Sequence, residues 1–210
     1  MNNEIIGNFF STPIYQNVCR SENIYQVQAE LDQAFDDLKN NAKFENRSDW
    51  NSLLLSDKNF SKDLTDDYHT HVFKKEIEHH AMNYLTYLGF PFENKLPLYK
   101  MECWMTFMRK GSYAHIHSHG RADIAGVYYY LADETDANIF FVNPVKQMGQ
   151  AACFEHLDKR LSVSPKIGKI LLFPGWLEHG VETSTSDKER ASISFNIRFV
   201  KNLFGETTNE

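Results

Sequence analysis

Cysteine is scarce in this chain and poorly placed for cross-linking. The three residues, Cys19, Cys103 and Cys153, are odd in number, widely spaced and free of any C-x-x-C pair. Neither a disulfide framework nor a zinc clip is indicated, and buried or half-buried free thiols are the expected state. Basic charge is short as well. With 22 Lys and Arg against 28 Asp and Glu the formal charge is -6, and the cationic groupings are short pairs such as Arg109-Lys110. That pattern lacks the electrostatic footprint of a nucleic-acid binder. No apolar run approaches a membrane span, and Met1-Asn2-Asn3-Glu4-Ile5-Ile6 lacks the cationic start and apolar core of a signal peptide. A soluble, cytoplasmic protein with no membrane or nucleic-acid partner is expected. There is no internal repeat, no low-complexity tract and no boundary rich in Gly, Ser or Pro. The 210 residues, 42% of them hydrophobic, therefore read as one domain, 1–210.

What the chain does have is a single change of apolar period. Ile24, Val27, Leu31, Ala34, Phe35 and Leu38 recur at helical spacing behind the possible cap Ser21. Val72, Ile77, Ala81, Tyr84 and Leu85 predict a second helix ending near Gly89, so the first 90 residues read as mostly helical. From about Leu98 short β-rich runs alternate with turns: Tyr99 to Met108, Ile124 to Leu131, Ile139 to Val142, Ile170 to Phe173 and Ala191 to Val200. An early strand, Ile5 to Tyr15 with Pro13 inside it, suits a sheet edge. The fold class is mainly β with flanking helices (α+β), an antiparallel sandwich or barrel braced on one sheet by the helical segment at 20–95.

The most telling local pattern is Tyr113-Ala114-His115-Ile116-His117-Ser118-His119-Gly120, three imidazoles at alternate positions, followed at a distance by His179 behind Ile170-Leu171-Leu172-Phe173-Pro174. On an extended segment such residues project to one face. A second strand returning with His179 would complete a facial set of three ligands and leave the opposite face of an octahedral Fe(II) open. The competing reading is three solvated histidines on an exposed loop. Eleven residues beyond His179, Arg190-Ala191-Ser192-Ile193-Ser194-Phe195-Asn196 alternates Arg190, Ser192, Ser194 and Asn196 on one face with Ala191, Ile193 and Phe195 on the other. A guanidinium with a neighbouring hydroxyl suits a carboxylate, and polar side chains facing into a small barrel point to a cavity. The alternative is a surface turn in which Arg190 pairs with Glu189 and Asp187.

Taken together, Trp104, Gly111, His117-Ser118-His119, Gly126-Val127-Tyr128-Tyr129, Gly168 to His179 and Arg190 to Asn196 resemble the 2-oxoglutarate/Fe(II)-dependent oxygenases of bacteria and phages. Phe9-Phe10-Ser11-Thr12-Pro13-Ile14-Tyr15 resembles that family's amino-terminal segment. The resemblance implies a double-stranded β-helix, or jelly-roll, core at about 98–201 that holds Fe(II) and uses 2-oxoglutarate and O2 as cosubstrates, with ascorbate as a reductant. His117, His119 on the same strand face and His179 would hold the metal. Arg190, Ser192 and Tyr129, the last sharing a face with Ala125 and Val127, would hold the far carboxylate of 2-oxoglutarate, while Tyr128 and Tyr130 point the other way. The implied activity is a dioxygenase, a hydroxylase, acting on a small-molecule or peptide substrate.

One position departs from the wider superfamily, in which His-x-Asp supplies a carboxylate to the iron; here it is His119. Asp123 is the alternative carboxylate should the backbone bend at Gly120, and His115 is a competitor that requires a shift of register and otherwise stands behind the ligands or faces substrate. Two other readings stay open: a cupin-like three-histidine enzyme that does not use 2-oxoglutarate, and a non-catalytic metal or ligand sensor. Phe173, Trp176 and the tyrosines are expected to make the cavity apolar. His69, His71, His79 and His80 are expected on solvated faces. The segment 143–168, with His156, is a candidate lid.

Overall fold

The computed structural model describes residues 11–41, 45–47, 52–55, 69–90, 95–145 and 160–200. Helix α1 (Ile24–Asn41) buries Val27, Leu31, Ala34 and Leu38 along one stripe, and helix α2 (His71–Tyr87) buries Phe73, Ile77, Ala81, Tyr84 and Leu85. The α1 stripe follows the spacing expected from the sequence, whereas in α2 Phe73 is the first buried position and the expected Val72 is half-buried. The start of α2 is capped from outside: Thr70 makes no side-chain cap bond, and the Glu30 carboxylate of α1 accepts from the Val72 and Phe73 amides at 3.0 and 2.9 Å. A carboxylate there satisfies two orphan donors and complements the positive end of the helix dipole.

Among the described residues eleven strands follow the order β1 (Tyr15–Val18), β2 (Glu45–Arg47), β3 (Ser52–Leu55), β4 (Tyr99–Met108), β5 (Ala114–His117), β6 (Ile124–Leu131), β7 (Ile139–Phe141), β8 (Leu161–Val163), β9 (Lys169–Pro174), β10 (His179–Val181) and β11 (Arg190–Phe199). They form a seven-stranded sheet, β1-β9-β6-β11-β4-β3-β2, and a four-stranded sheet, β5-β10-β7-β8, antiparallel throughout. Strict alternation divides the large sheet. Ile193, Phe195, Tyr128 and Ile170 pack outward under the two helices, whereas Val127, Tyr129, Leu171 and Phe173 pack inward with Ile139, Phe141 and Val163 of the small sheet. This is the expected jelly-roll braced on one side by helices.

Two strand expectations need correcting. The segment before residue 90 contains the hairpin β2–β3, whose Leu53-Leu54-Leu55 pairs with Phe107, Thr106 and Met105. A run of apolar residues that short carries no period to distinguish strand from helix. The edge strand begins at Tyr15, beyond Pro13, and pairs with β9. The edge position matches expectation, the proline lies ahead of the strand instead of within it, and residues 1–10 lie outside the described residues.

Candidate metal and cosubstrate site

Strands β5 and β10 pair so that His117 lies opposite His179. The register then slips, with Val181 opposite Ala114. One extra residue on β5 breaks the alternation that would have placed His115 beside His117, and the His115 side chain is exposed, its ring edge-on to Tyr113. Its contribution to the site is its carbonyl oxygen, which accepts from His117 Nδ1 at 2.7 Å.

His119 reaches the site differently from the expectation of a shared strand face. β5 ends at His117, and the chain turns through Gly120, whose φ of 55° favours glycine. The His119 amide donates to the Gly175 carbonyl at 2.8 Å, and a Cβ on Gly175 would stand 2.1 Å from the Ala122 oxygen. Two turns thus meet backbone to backbone, and their contact carries His119 inward.

The three rings converge. Their centroids are 4.4 Å (His117–His179), 5.0 Å (His119–His179) and 5.4 Å (His117–His119) apart, and one ring nitrogen from each lies within 4.8 Å of the others. In each ring Nδ1 already faces an oxygen: His115 O for His117, Leu177 O at 2.8 Å for His179, and Asn196 Oδ1 at 2.5 Å for His119. With Nδ1–H donating, Nε2 keeps its lone pair. Burial, then the neighbouring His117, pulls His179 down to about 3, and burial also lowers His119 against the pull of Asn196. Both are neutral at neutral pH, the form that binds a metal, and with His117 they make a convergent three-imidazole donor set that fits Fe(II). Asp123 is engaged elsewhere: its carboxylate accepts from the Phe199 amide at 2.8 Å and its own amide donates to Ile197. It is not among the converging groups.

Beside the histidines a cavity is lined by Arg190, Tyr129, Ser192, Ser194 and Thr106. Arg190 is 2% exposed and, among the described residues, is the one Lys, Arg, Asp or Glu on that lining. Its NH1 donates to Ala137 O at 2.6 Å, while its Nε, the Tyr129 hydroxyl and the Thr106 hydroxyl have no partner among the described residues. The guanidinium stands 5.2 Å from the Tyr129 ring. Burial lowers the Arg190 pKa, opposed by Tyr129 and Asp136, and burial raises that of Tyr129, so the phenol remains a donor. A buried cation beside unpartnered hydroxyls fits a carboxylate ligand. The surface-turn reading of Arg190 does not hold, because Glu189 and Asp187 pair with Arg109 and Lys110.

Tyr129, Ser192 and Arg190 thus lie where strand parity put them, and Tyr128 and Tyr130 lie under the helices. Thr106 was missed, although β4 alternation and its pairing with Ser192 would have found it. Phe173 lines the cavity, but Trp176 is 55% exposed and does not. His80, expected at the surface, is 1% exposed between Glu76 and the Tyr15 hydroxyl. Most of the candidate lid, with His156 and Cys153, falls at 146–159, outside the described residues. Among the described residues no helix is long and apolar enough to cross a membrane.

Residues 102–196 match the family described as "Putative 2OG-Fe(II) oxygenase". No curated protein sequence matches the chain. Among solved structures, a Pseudomonas putida prolyl-4-hydroxylase superposes with TM-score 0.61 at 12% identity, covering 91% of this chain and 95% of that one. The α-ketoglutarate-dependent epimerase SnoN of nogalamycin biosynthesis gives 0.61 at 11%, covering 90% and 78%. HygX of Streptomyces hygroscopicus, solved with nickel, 2-oxoglutarate and hygromycin B, gives 0.55 at 12%, covering 91% and 85%. These likenesses establish the shared fold, and the matched segment spans both the histidine cluster and the Arg190 face. Residues 102–196, a little under half of the chain, are thus similar to the 2-oxoglutarate/Fe(II) oxygenases, and the chain shares the jelly-roll fold of the solved structures above.

Proposed function

We propose that His117, His119 and His179 hold Fe(II), that Arg190, Tyr129 and Ser192 hold the far carboxylate of 2-oxoglutarate, and that the enzyme is a hydroxylase of a small molecule or a peptide. The observation that carries this reading is the juxtaposition of two sets in one cavity: three imidazoles whose Nδ1 atoms face oxygens and which each bring one nitrogen within 4.8 Å of the others, beside a buried guanidinium Nε and a phenol that lack partners among the described residues. The carbonyls of His115 and Leu177 fix the tautomers of His117 and His179 and hold their rings in place before any ligand arrives. Arg190, anchored at NH1 by Ala137, presents its remaining donors to an anion, and Tyr129 adds a hydroxyl. Each such buried group left unpaired is destabilising by about 1–3 kcal/mol, a penalty that a bound carboxylate relieves. Phe173, Val127 and Ile139 keep the cavity walls apolar. When bound, Fe(II) and 2-oxoglutarate supply the oxidising power, coupling O2 consumption and decarboxylation to succinate with oxidation of a substrate C–H bond.

HygX was solved with hygromycin B bound and SnoN is an epimerase on this fold, so the fold alone sets neither substrate nor outcome. A cytoplasmic location belongs to the same proposal, supported by Cys19 and Cys103, buried and outside any disulfide among the described residues. Anaerobic titration of the Fe(II)-loaded protein with 2-oxoglutarate should raise a saturable visible charge-transfer band, and Arg190→Ala should abolish the saturation. Wild-type saturation in Arg190→Ala would reject the anchor. One oxygen atom from O2 in the product identifies hydroxylation, whereas inversion or desaturation without added oxygen would replace it.

A further inference from the structure

We infer that Asn196 and Glu102 form a positioning relay that decides which nitrogen of His119 faces the metal; the inference rests on His119 being a ligand. His117 and His179 each donate Nδ1–H to a main-chain carbonyl, an acceptor whose polarity cannot reverse. His119 differs. Its Nδ1 meets the side-chain amide of Asn196, which is 8% exposed. An amide has an oxygen end and an NH2 end, and a half-turn exchanges them. With the oxygen toward His119 the ring must donate from Nδ1, leaving Nε2 bare; with the NH2 toward it the ring must accept at Nδ1 and carry its proton on Nε2, where a metal cannot bind.

Glu102 removes that freedom. It faces Asn196 across the β4–β11 register, and its Oε2 accepts from Asn196 Nδ2 at 3.4 Å and from Arg198 NH2 at 3.2 Å. An ionised carboxylate only accepts, so the NH2 end of Asn196 must point to Glu102 and the oxygen end to His119. Arg198 pairs with the same carboxylate as a counter-charge. Trp104, stacked on the His119 ring at 5.9 Å between centroids, supports the plane in which this bond lies. The chain with His119 where a carboxylate ligand would otherwise stand thus places a carboxylate behind that ligand, transmitted through one amide. Glu102 and Asn196 do not touch the reacting atoms; they act through His119.

The test uses Co(II) as the metal probe, with affinity and visible ligand-field bands as one readout and the ¹⁵N shifts of the His119 ring in metal-free protein as the other. Wild type should show the Nδ1–H tautomer. Asn196→Ala should weaken Co(II) binding about 10- to 100-fold and alter the bands. Glu102→Gln, whose amide accepts as readily as it donates, should give a mixed tautomer. The double variant Asn196→Asp with Glu102→Gln exchanges amide and carboxylate, keeps an acceptor on His119, and should recover both tautomer and affinity, a rescue that a purely structural role does not predict. A pure Nδ1–H tautomer in Glu102→Gln, wild-type Co(II) affinity in Asn196→Ala, or a double variant no better than Asn196→Ala overturns the relay. If Asn196→Ala does not fold, Glu102→Gln and the double variant decide the question. His119→Ala separates the layers: wild-type Co(II) binding there overturns the ligand assignment itself, whereas its loss there with unaltered binding in the relay variants overturns the relay alone.

Discussion

Glu76 and Arg190 are both charged, both almost fully buried at 1% and 2% exposure, and placed on opposite sides of the seven-stranded sheet, yet their surroundings differ sharply. Glu76, on α2, accepts from the Arg20 amide and Nε, from Asn23 and from His80, and pairs with Arg20 NH2 at 2.9 Å. Every lone pair has an answer within the protein, and the network ties the entry to α1 against α2. Arg190, inside the jelly roll, has the Ala137 carbonyl for one donor, while its Nε and the neighbouring Tyr129 and Thr106 hydroxyls have no partner among the described residues. Burial with partners is structural; burial without them marks a site held open for a ligand. The comparison makes the two sides respond oppositely to substitution.

The largest effect is expected at the metal. His179→Ala should reduce Fe(II) binding and succinate formation to background while leaving the urea midpoint of the metal-free protein close to wild type, measured by anaerobic metal titration and circular dichroism. Next, Arg190→Met exchanges the unmatched cation for an apolar chain of similar length. The 2-oxoglutarate affinity should fall by about 100-fold or more, the loss of two charge-assisted hydrogen bonds, while metal-free stability holds or rises. A marked fall in metal-free stability would mean that Arg190 is already satisfied, and the contrast with Glu76 would fail.

Glu76→Gln should do the reverse, lowering stability by about 2–4 kcal/mol at neutral pH with Fe(II) and 2-oxoglutarate binding unchanged. Its pH dependence fixes the cause. Burial alone would raise the Glu76 carboxyl, but the Arg20 and Asn23 hydrogen bonds outweigh burial and bring it down to about 2 from the ordinary 4.5. A depressed pKa makes the contribution fully present above pH 4.5 and lost as pH falls through about 2. Urea midpoints of wild type and Glu76→Gln should therefore converge between those values, and parallel curves would remove the charge from the account.

What the sequence showed of this architecture follows the same division. Period-two alternation exposed the Arg190 face, the inward Tyr129 and the outward Tyr128, because a regular strand leaves no freedom in which face a residue takes. The distal His179 was found for the same reason, standing just after a run that could only be a strand. His119 was legible as a candidate ligand, but its route to the site was not: that depends on a glycine turn and on Gly175 meeting Ala122, contacts between segments far apart in the chain. Glu76 and His80 were illegible because their partners come from residues 15–23, and helical spacing alone reads such groups as solvated. The β2–β3 hairpin was too short to declare a period.

His115 sharpens the comparison at its small end. By sequence it is the equal of His117 and His119, an imidazole at the same alternate spacing; in the fold the irregular register of β5 against β10 turns its ring out to solvent against Tyr113. Only its carbonyl serves the site, holding His117 Nδ1, and a carbonyl survives any side-chain change. His115→Ala should therefore leave Fe(II) affinity and 2-oxoglutarate saturation at wild-type values, with stability altered by no more than about 0.5 kcal/mol. His115→Pro keeps that carbonyl too, but it removes an amide and restricts the backbone of the strand that carries His117, so metal affinity should fall where alanine left it intact. A loss of metal binding in His115→Ala would mean that the ring, and with it a straight β5, reaches the metal after all.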